Sequence, residues 1–174
     1  MSGPTPVTSK AEALALFEAE YTGTEARIRT LSAEQLERPI FGEGEGWRVK
    51  DLPAHWALWQ RLASRAAERI AAGAPWPAEW VGLRPFLGIE TSLDDLNAER
   101  FAQFRDRSFQ ERLAELRSAH RALMDALERL PEDAILDPAG PEGIRRPFFV
   151  PGINHLRLHR EHLEAALIEG ATTT

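Results

Sequence analysis

Apolar residues recur at three- and four-residue spacing over long stretches of the chain, and strand-like two-residue alternation is absent. In the first stretch Leu14, Phe17, Tyr21 and Ile28 form one stripe, which predicts a helix over about residues 9–31, with Gly23 as a weak spot inside it. A second helix is predicted over about residues 49–72. Pro53 falls in its first turn, where amide hydrogens have no helical acceptor, and Gly73 ends it. A third helical region carries two start signals, Ser92-Leu-Asp-Asp95 and Ser108-Phe-Gln-Glu111, the second a full capping box. A break is therefore expected near Asp106 and Arg107, with the second part running to Leu130, where Pro131 stops it. A fourth helix is predicted to start near Pro151 or Gly152 and to end before Gly170, leaving Ala171 to Thr174 as a frayed tail. Glycine and proline gather between these segments, and no repeat or linker divides the chain. The expectation is one domain over residues 1–174, ordered over about 9–170, and an all-α antiparallel four-helix bundle.

The histidines fall on the apolar faces. With His155 set at zero on a helical wheel, His159 lies at about 40°, His162 at about −20° and Ala166 at about 20°. Leucines flank this arc, and Arg157, Arg160, Glu161 and Glu164 lie opposite. In the second helix His55 shares a stripe with Trp59, Leu62 and Ala66. Imidazoles at core positions are costly without partners. One ion satisfies several at once, and an i, i+4 pair with a third histidine from a facing helix leaves positions for water or substrate. The bland alternative is hydrogen-bonded core histidines, and His120, among Leu116, Leu123, Met124 and Leu127, is assigned to that class. Both His155 with His159 and His159 with His162 can converge on one ion. His55, His155 and His159 are the chosen ligands, leaving His162 as a base, a neighbour of the ligands or a replacement for His155.

Composition narrows the chemistry. Apolar residues make up 43% and charged residues 28%, an ordinary balance for a folded domain. The formal net charge is −6 with no basic run, from which no nucleic-acid partner and no membrane surface are expected. Cysteine is absent, so any thiol must come from a small-molecule co-substrate. The first nine residues lack the charged start and apolar core of a signal peptide, and no apolar run approaches a membrane span of about 18 residues. The expected compartment is the cytoplasm.

The segment Gly46-Trp-Arg-Val-Lys-Asp-Leu-Pro-Ala-His-Trp-Ala-Leu-Trp59 resembles the DinB-like signature W-S-V-K-D-x-x-A-H that opens a second helix. Asn154-His-Leu-Arg-Leu-His-Arg-Glu-His-Leu163 resembles that family's H-x-x-x-H-R-x-Q-[IL] stretch. Leu93-Asp-Asp-Leu-Asn-Ala-Glu-Arg100 with Leu130-Pro-Glu-Asp133 is similar to the ClbS/DfsB-like and mycothiol-dependent maleylpyruvate isomerase-like branches. The resemblance implies a four-helix bundle holding nickel or zinc on three histidines, matching His55, His155 and His159. It implies a metal-dependent thiol transferase, isomerase or hydrolase acting on a reactive electrophile, with a low-molecular-weight thiol as co-substrate, and a homodimer. The alternative is a non-enzymatic metal- or small-molecule-binding protein of stress or self-resistance. Two departures stand out. Arg48 replaces the usual serine, removing an N-cap, and His162 replaces a frequent glutamine. Arg160, Asn97, Glu99, and the pair Arg145 and Arg146 are further candidates for substrate contact, and Trp76, Trp80 and Phe86 either cover the site or pack onto the core.

Overall fold

The structure, a computed structural model, describes residues 5–40, 46–76 and 84–169. Five long helices carry it: α1 (Lys10–Arg29), α2 (Leu52–Ala71), α3 (Leu93–Phe104), α4 (Phe109–Glu128) and α5 (His155–Glu169). Four of them, α1, α2, α4 and α5, form an antiparallel bundle, with α2 against α4 as its most extensive seam. No strand occurs among the described residues; the isolated bridges Pro39 with Arg48 and Leu136 with Ile144 only pin loop ends together.

The helix ends follow the local chemistry. Ser9 accepts from the Glu12 amide, and Ser108 with Glu111 makes the expected capping box. Gly73 leaves α2 at φ +84, a conformation that a side chain disfavours. Gly23 does not interrupt α1. The expected break after α3 falls at residues 105–108. Gly170 and the tail beyond it lie outside the described residues, as does Trp80.

The fourth helix departs from expectation. A helical turn begins at Arg146 (Arg146–Phe149), runs into a π-turn (Val150–Asn154) and continues as α5. Pro147 occupies an opening position of the first turn, where its missing amide costs nothing. Pro151 falls in the π-turn, which closes with the His155 amide donating to the Val150 carbonyl.

The core has two apolar clusters. Phe17, Leu62, Leu123, Leu127, Phe148 and Ile153 anchor one, and Ile28, Leu52, Trp56, Leu113, Leu116 and Leu163 the other. Between them lies a polar layer. The Gln60 side-chain amide donates to the Gly152 carbonyl at 2.8 Å, and its Oε1 faces His120 Nδ1 at 3.2 Å. His120 Nε2 reaches Glu18 at 3.0 Å, and the ring stacks on Tyr21 with centroids 3.8 Å apart. His120 is thus the structural histidine that its position in the core suggests.

Candidate metal centre

His55 stands one turn into α2, and the start of that helix is doubly fixed. The Arg48 amide donates to Asp51 Oδ2 at 2.8 Å, so Asp51 supplies the cap that the Arg48 side chain cannot. Asp51 also pairs with Arg112 at 2.9 Å, both side chains almost inaccessible to solvent. Arg112 donates in addition to the carbonyls of Phe104, Arg105 and Lys50. One buried guanidinium therefore ties α4 to the end of α3 and the start of α2. On the facing side the π-turn delivers His155, and His159 follows one turn later on α5.

These elements bring three ring nitrogens together. His155 Nε2 lies 2.7 Å from His55 Nε2, His55 Nε2 lies 3.0 Å from His159 Nε2, and His159 Nε2 lies 2.9 Å from His155 Nε2. A hydrogen bond needs a donor on one atom and a lone pair on the other, and an imidazole nitrogen has only one of the two. Two of the three edges can be satisfied in this way. The third must set lone pair against lone pair or N–H against N–H, because a triangle cannot alternate. A single cation facing three lone pairs removes that conflict. Nitrogen ligands sit about 2.0–2.1 Å from zinc, so three nitrogens this close can share one ion. The donor set therefore fits a divalent metal.

Burial keeps these rings neutral, the form in which a nitrogen can bind metal. It pushes the His55 pKa down to about 3, with His159 and Arg100 adding repulsion. It pushes His159 down to about 4, with His162 contributing. His155 falls well below its ordinary value for the same reason, aided by the other three histidines.

His162 is placed differently from the wheel. Its side chain is exposed, and its Nδ1 lies 3.1 Å from His159 Nδ1, behind the ligand ring. The buried apolar stripe of α5 is Leu156, Leu163 and Leu167, with His159 buried beside it, His155 half-buried and His162 exposed, so the histidines mark the edge of the packed face and not its centre. The triangle consequently opens sideways into a pocket of about 630 Å³. Trp59 stacks on His155 with centroids 4.0 Å apart, and Trp47 meets His55 edge-on at 5.3 Å. Leu93, Asn97 and Phe101 of α3 form the outer wall. Phe101 was not singled out by the sequence and Trp47 entered only as the first residue of the signature, since the docking of α3 is what makes them neighbours.

The other candidates sit elsewhere. Arg160 pairs with Glu20 at 3.0 Å, and Glu99 accepts from Gln103. Arg145 donates to the Asp133 carbonyl and lies over Trp76, and Arg146 is exposed; neither lines the pocket. Trp76 packs on Phe86 and Phe148, the core-packing alternative.

A family model for the mycothiol maleylpyruvate isomerase N-terminal domain matches residues 9–152, a span that includes His55 and stops just before His155. No curated protein matches the sequence. Among solved structures, an uncharacterised protein from Escherichia coli UTI89 aligns at TM-score 0.67 and 14% identity, covering 95% of this chain and 96% of that one. The sibling lethal factor precursor DfsB aligns at TM-score 0.65 and 15% identity, covering 94% and 98%. The colibactin self-resistance protein ClbS, solved in complex with double-stranded DNA, aligns at TM-score 0.63 and 16% identity, covering 94% and 96%. At these identities the likeness is one of fold, and all three share the DinB-like bundle.

ClbS corrects one expectation. The absence of a nucleic-acid partner was inferred from net charge and from the lack of a basic run, yet a protein of this fold is bound to DNA. Net charge sums over the whole surface, whereas phosphate contacts need only a few local arginines, polar side chains or helix N-termini. The charge of −6 therefore does not exclude nucleic acid. Among the described residues no helix is long and apolar enough to cross a membrane.

Proposed function

The chain belongs to the mycothiol maleylpyruvate isomerase N-terminal domain family, with the DinB-like fold, and from that premise we propose that it is a divalent-metal-dependent enzyme acting on a reactive electrophile. His55, His155 and His159 hold the ion, nickel or zinc. The observation that carries this is the Nε2 triangle, whose three edges protons alone cannot satisfy.

A divalent ion held by His55, His155 and His159 would supply Lewis-acid chemistry, acidifying a thiol or water and polarising an electrophile. The chain's own residues do the rest. Trp47, Trp59 and Phe101 give the pocket an aromatic lining, and the Asn97 amide sits at its wall. His162 faces the far nitrogen of His159, which supports a role in fixing that ring's tautomer. A proton-shuttle role would run through the same contact. With no cysteine in the chain, the nucleophile is water or a low-molecular-weight thiol, as the family's name suggests. The reaction class is thiol transfer, isomerisation or hydrolysis.

We read the chain as one domain that works in the cytoplasm as a homodimer. Ile168 of α5, 67% exposed, gives such a contact apolar surface. Turnover tests the enzymatic claim. Nickel- or zinc-loaded protein is incubated with mycothiol and a model electrophile such as 1-chloro-2,4-dinitrobenzene, and also with maleylpyruvate. Acceleration that His159→Ala abolishes supports it. Metal binding without acceleration of any of these reactions favours the sequestering alternative.

A further inference from the structure

The pocket over the three histidines has an unusual charge balance. Trp59 stacks on His155, Trp47 lies against His55, and Phe101 lies 5.0 Å from Trp47, so one aromatic surface runs from the histidines to the rim. Besides the histidines and the two tryptophans, Asp94 and Asn97 are the polar side chains that line it among the described residues. No lysine or arginine does.

Nearby positive groups are already answered. Arg100 donates to the Ala54 carbonyl and to Glu115. The N-terminus of α3, the positive end of a helix at the rim, has Asp94 and Asp95 in its first turn and is capped by Ser92. An anionic group on the outer part of a ligand would lose hydration, meet no lysine or arginine among the described lining residues and face Asp94, with the proposed ion's charge at the other end of the ligand.

Resting on the metal reading above, we propose that this pocket selects an uncharged, flat aromatic molecule bearing one metal-binding group, and discriminates against ligands with a remote carboxylate. The histidine-held ion fixes the polar head. Trp47, Trp59 and Phe101 offer faces and edges to the flat body. Asp94 sets the charge rule. The chain is thereby set apart from an enzyme for a dicarboxylate such as maleylpyruvate.

Three hydroxamates that differ only in their tails provide the test: acetohydroxamate, benzohydroxamate and 4-carboxybenzohydroxamate. Each is titrated into full-length cobalt(II)-loaded protein, followed by the visible spectrum of the metal and by calorimetry. Benzohydroxamate is expected to bind at least tenfold more tightly than acetohydroxamate, and the carboxylated probe at least tenfold more weakly than benzohydroxamate. Phe101→Ala should erase most of the aromatic gain. Asp94→Asn, at an exposed position, should recover most of the binding lost to the carboxylate. Equal or tighter binding of the carboxylated probe, or no aromatic gain, overturns the proposal. Cobalt content is measured before any probe is added. Failure to take up cobalt, nickel or zinc overturns the metal reading, and this proposal with it, whereas a loaded protein with the wrong selectivity overturns this proposal alone.

Discussion

The side-chain amide of Gln60, deep in α2, donates to the carbonyl of Gly152 at 2.8 Å. Gly152 belongs to the π-turn that leads into His155, so this bond ties the helix carrying one proposed ligand to the turn that aims another. The same glutamine turns its oxygen to His120, which Glu18 holds from the other side. The histidine triad is thus braced from within the bundle by a polar layer that never touches it.

Loss of that brace should be measurable. Gln60→Leu removes the side-chain partner of the Gly152 carbonyl and of His120 Nδ1 in a buried layer, while Glu18 still holds Nε2. A penalty of about 1–3 kcal/mol is expected in chemical denaturation, together with a several-fold weaker metal affinity. Unchanged stability and affinity would show that the layer plays no part in holding the site.

Gly152 also marks a close approach. A Cβ there would stand 2.5 Å from Phe17 Cε1, inside the packed core. Gly152→Ala should therefore cost about 1–3 kcal/mol through overpacking and should displace His155. Adding Phe17→Leu should recover part of the loss. Thermal melts and metal titrations of the single and double variants check both effects.

Acid should destabilise the metal-free protein. The three ligand histidines have folded-state pKa values depressed from 6.5, to about 3 for His55 and about 4 for His159, with His155 also well below. The unfolded chain takes up these protons near 6.5 and the folded chain does not. Stability from these groups is therefore fully present above pH 6.5 and is lost as pH falls toward the folded values, by about 1.4 kcal/mol per pH unit for each group. A melting temperature of the metal-free protein that stays flat between pH 7 and 5 would contradict this.

Much of the fold was legible because its signals are local. Ser9, Ser108 and Gly73 mark helix ends by chemistry that acts within one turn, and the stripe of His55, Trp59, Leu62 and Ala66 is buried as its spacing requires. The last helix was expected to start near Pro151 or Gly152, whereas the helical path begins at Arg146, because a first turn accommodates Pro147 and a π-turn accommodates Pro151. His162 lies outward because the leucines, not the histidines, set the rotation of α5. The layer of Gln60, His120 and Glu18 and the walls contributed by Trp47 and Phe101 depend on helix docking, which no single stretch of sequence encodes.

The triangle supports His55, His155 and His159 as the proposed ligand register. His155→Ala should weaken metal binding at least a hundredfold. His162→Ala removes only the group behind His159 and should weaken it about tenfold, within the range for groups that orient a ligand. The reverse ranking in a competition titration would place the ion on His55, His159 and His162 instead.

Elemental analysis of untagged protein, purified without chelator, tests the central claim most directly. The account predicts about one nickel or zinc ion per chain, as a three-histidine site requires, and its loss in His159→Ala while the far-ultraviolet helical signal is kept. Protein that carries no metal as isolated, and that takes up neither nickel nor zinc on titration, would contradict it.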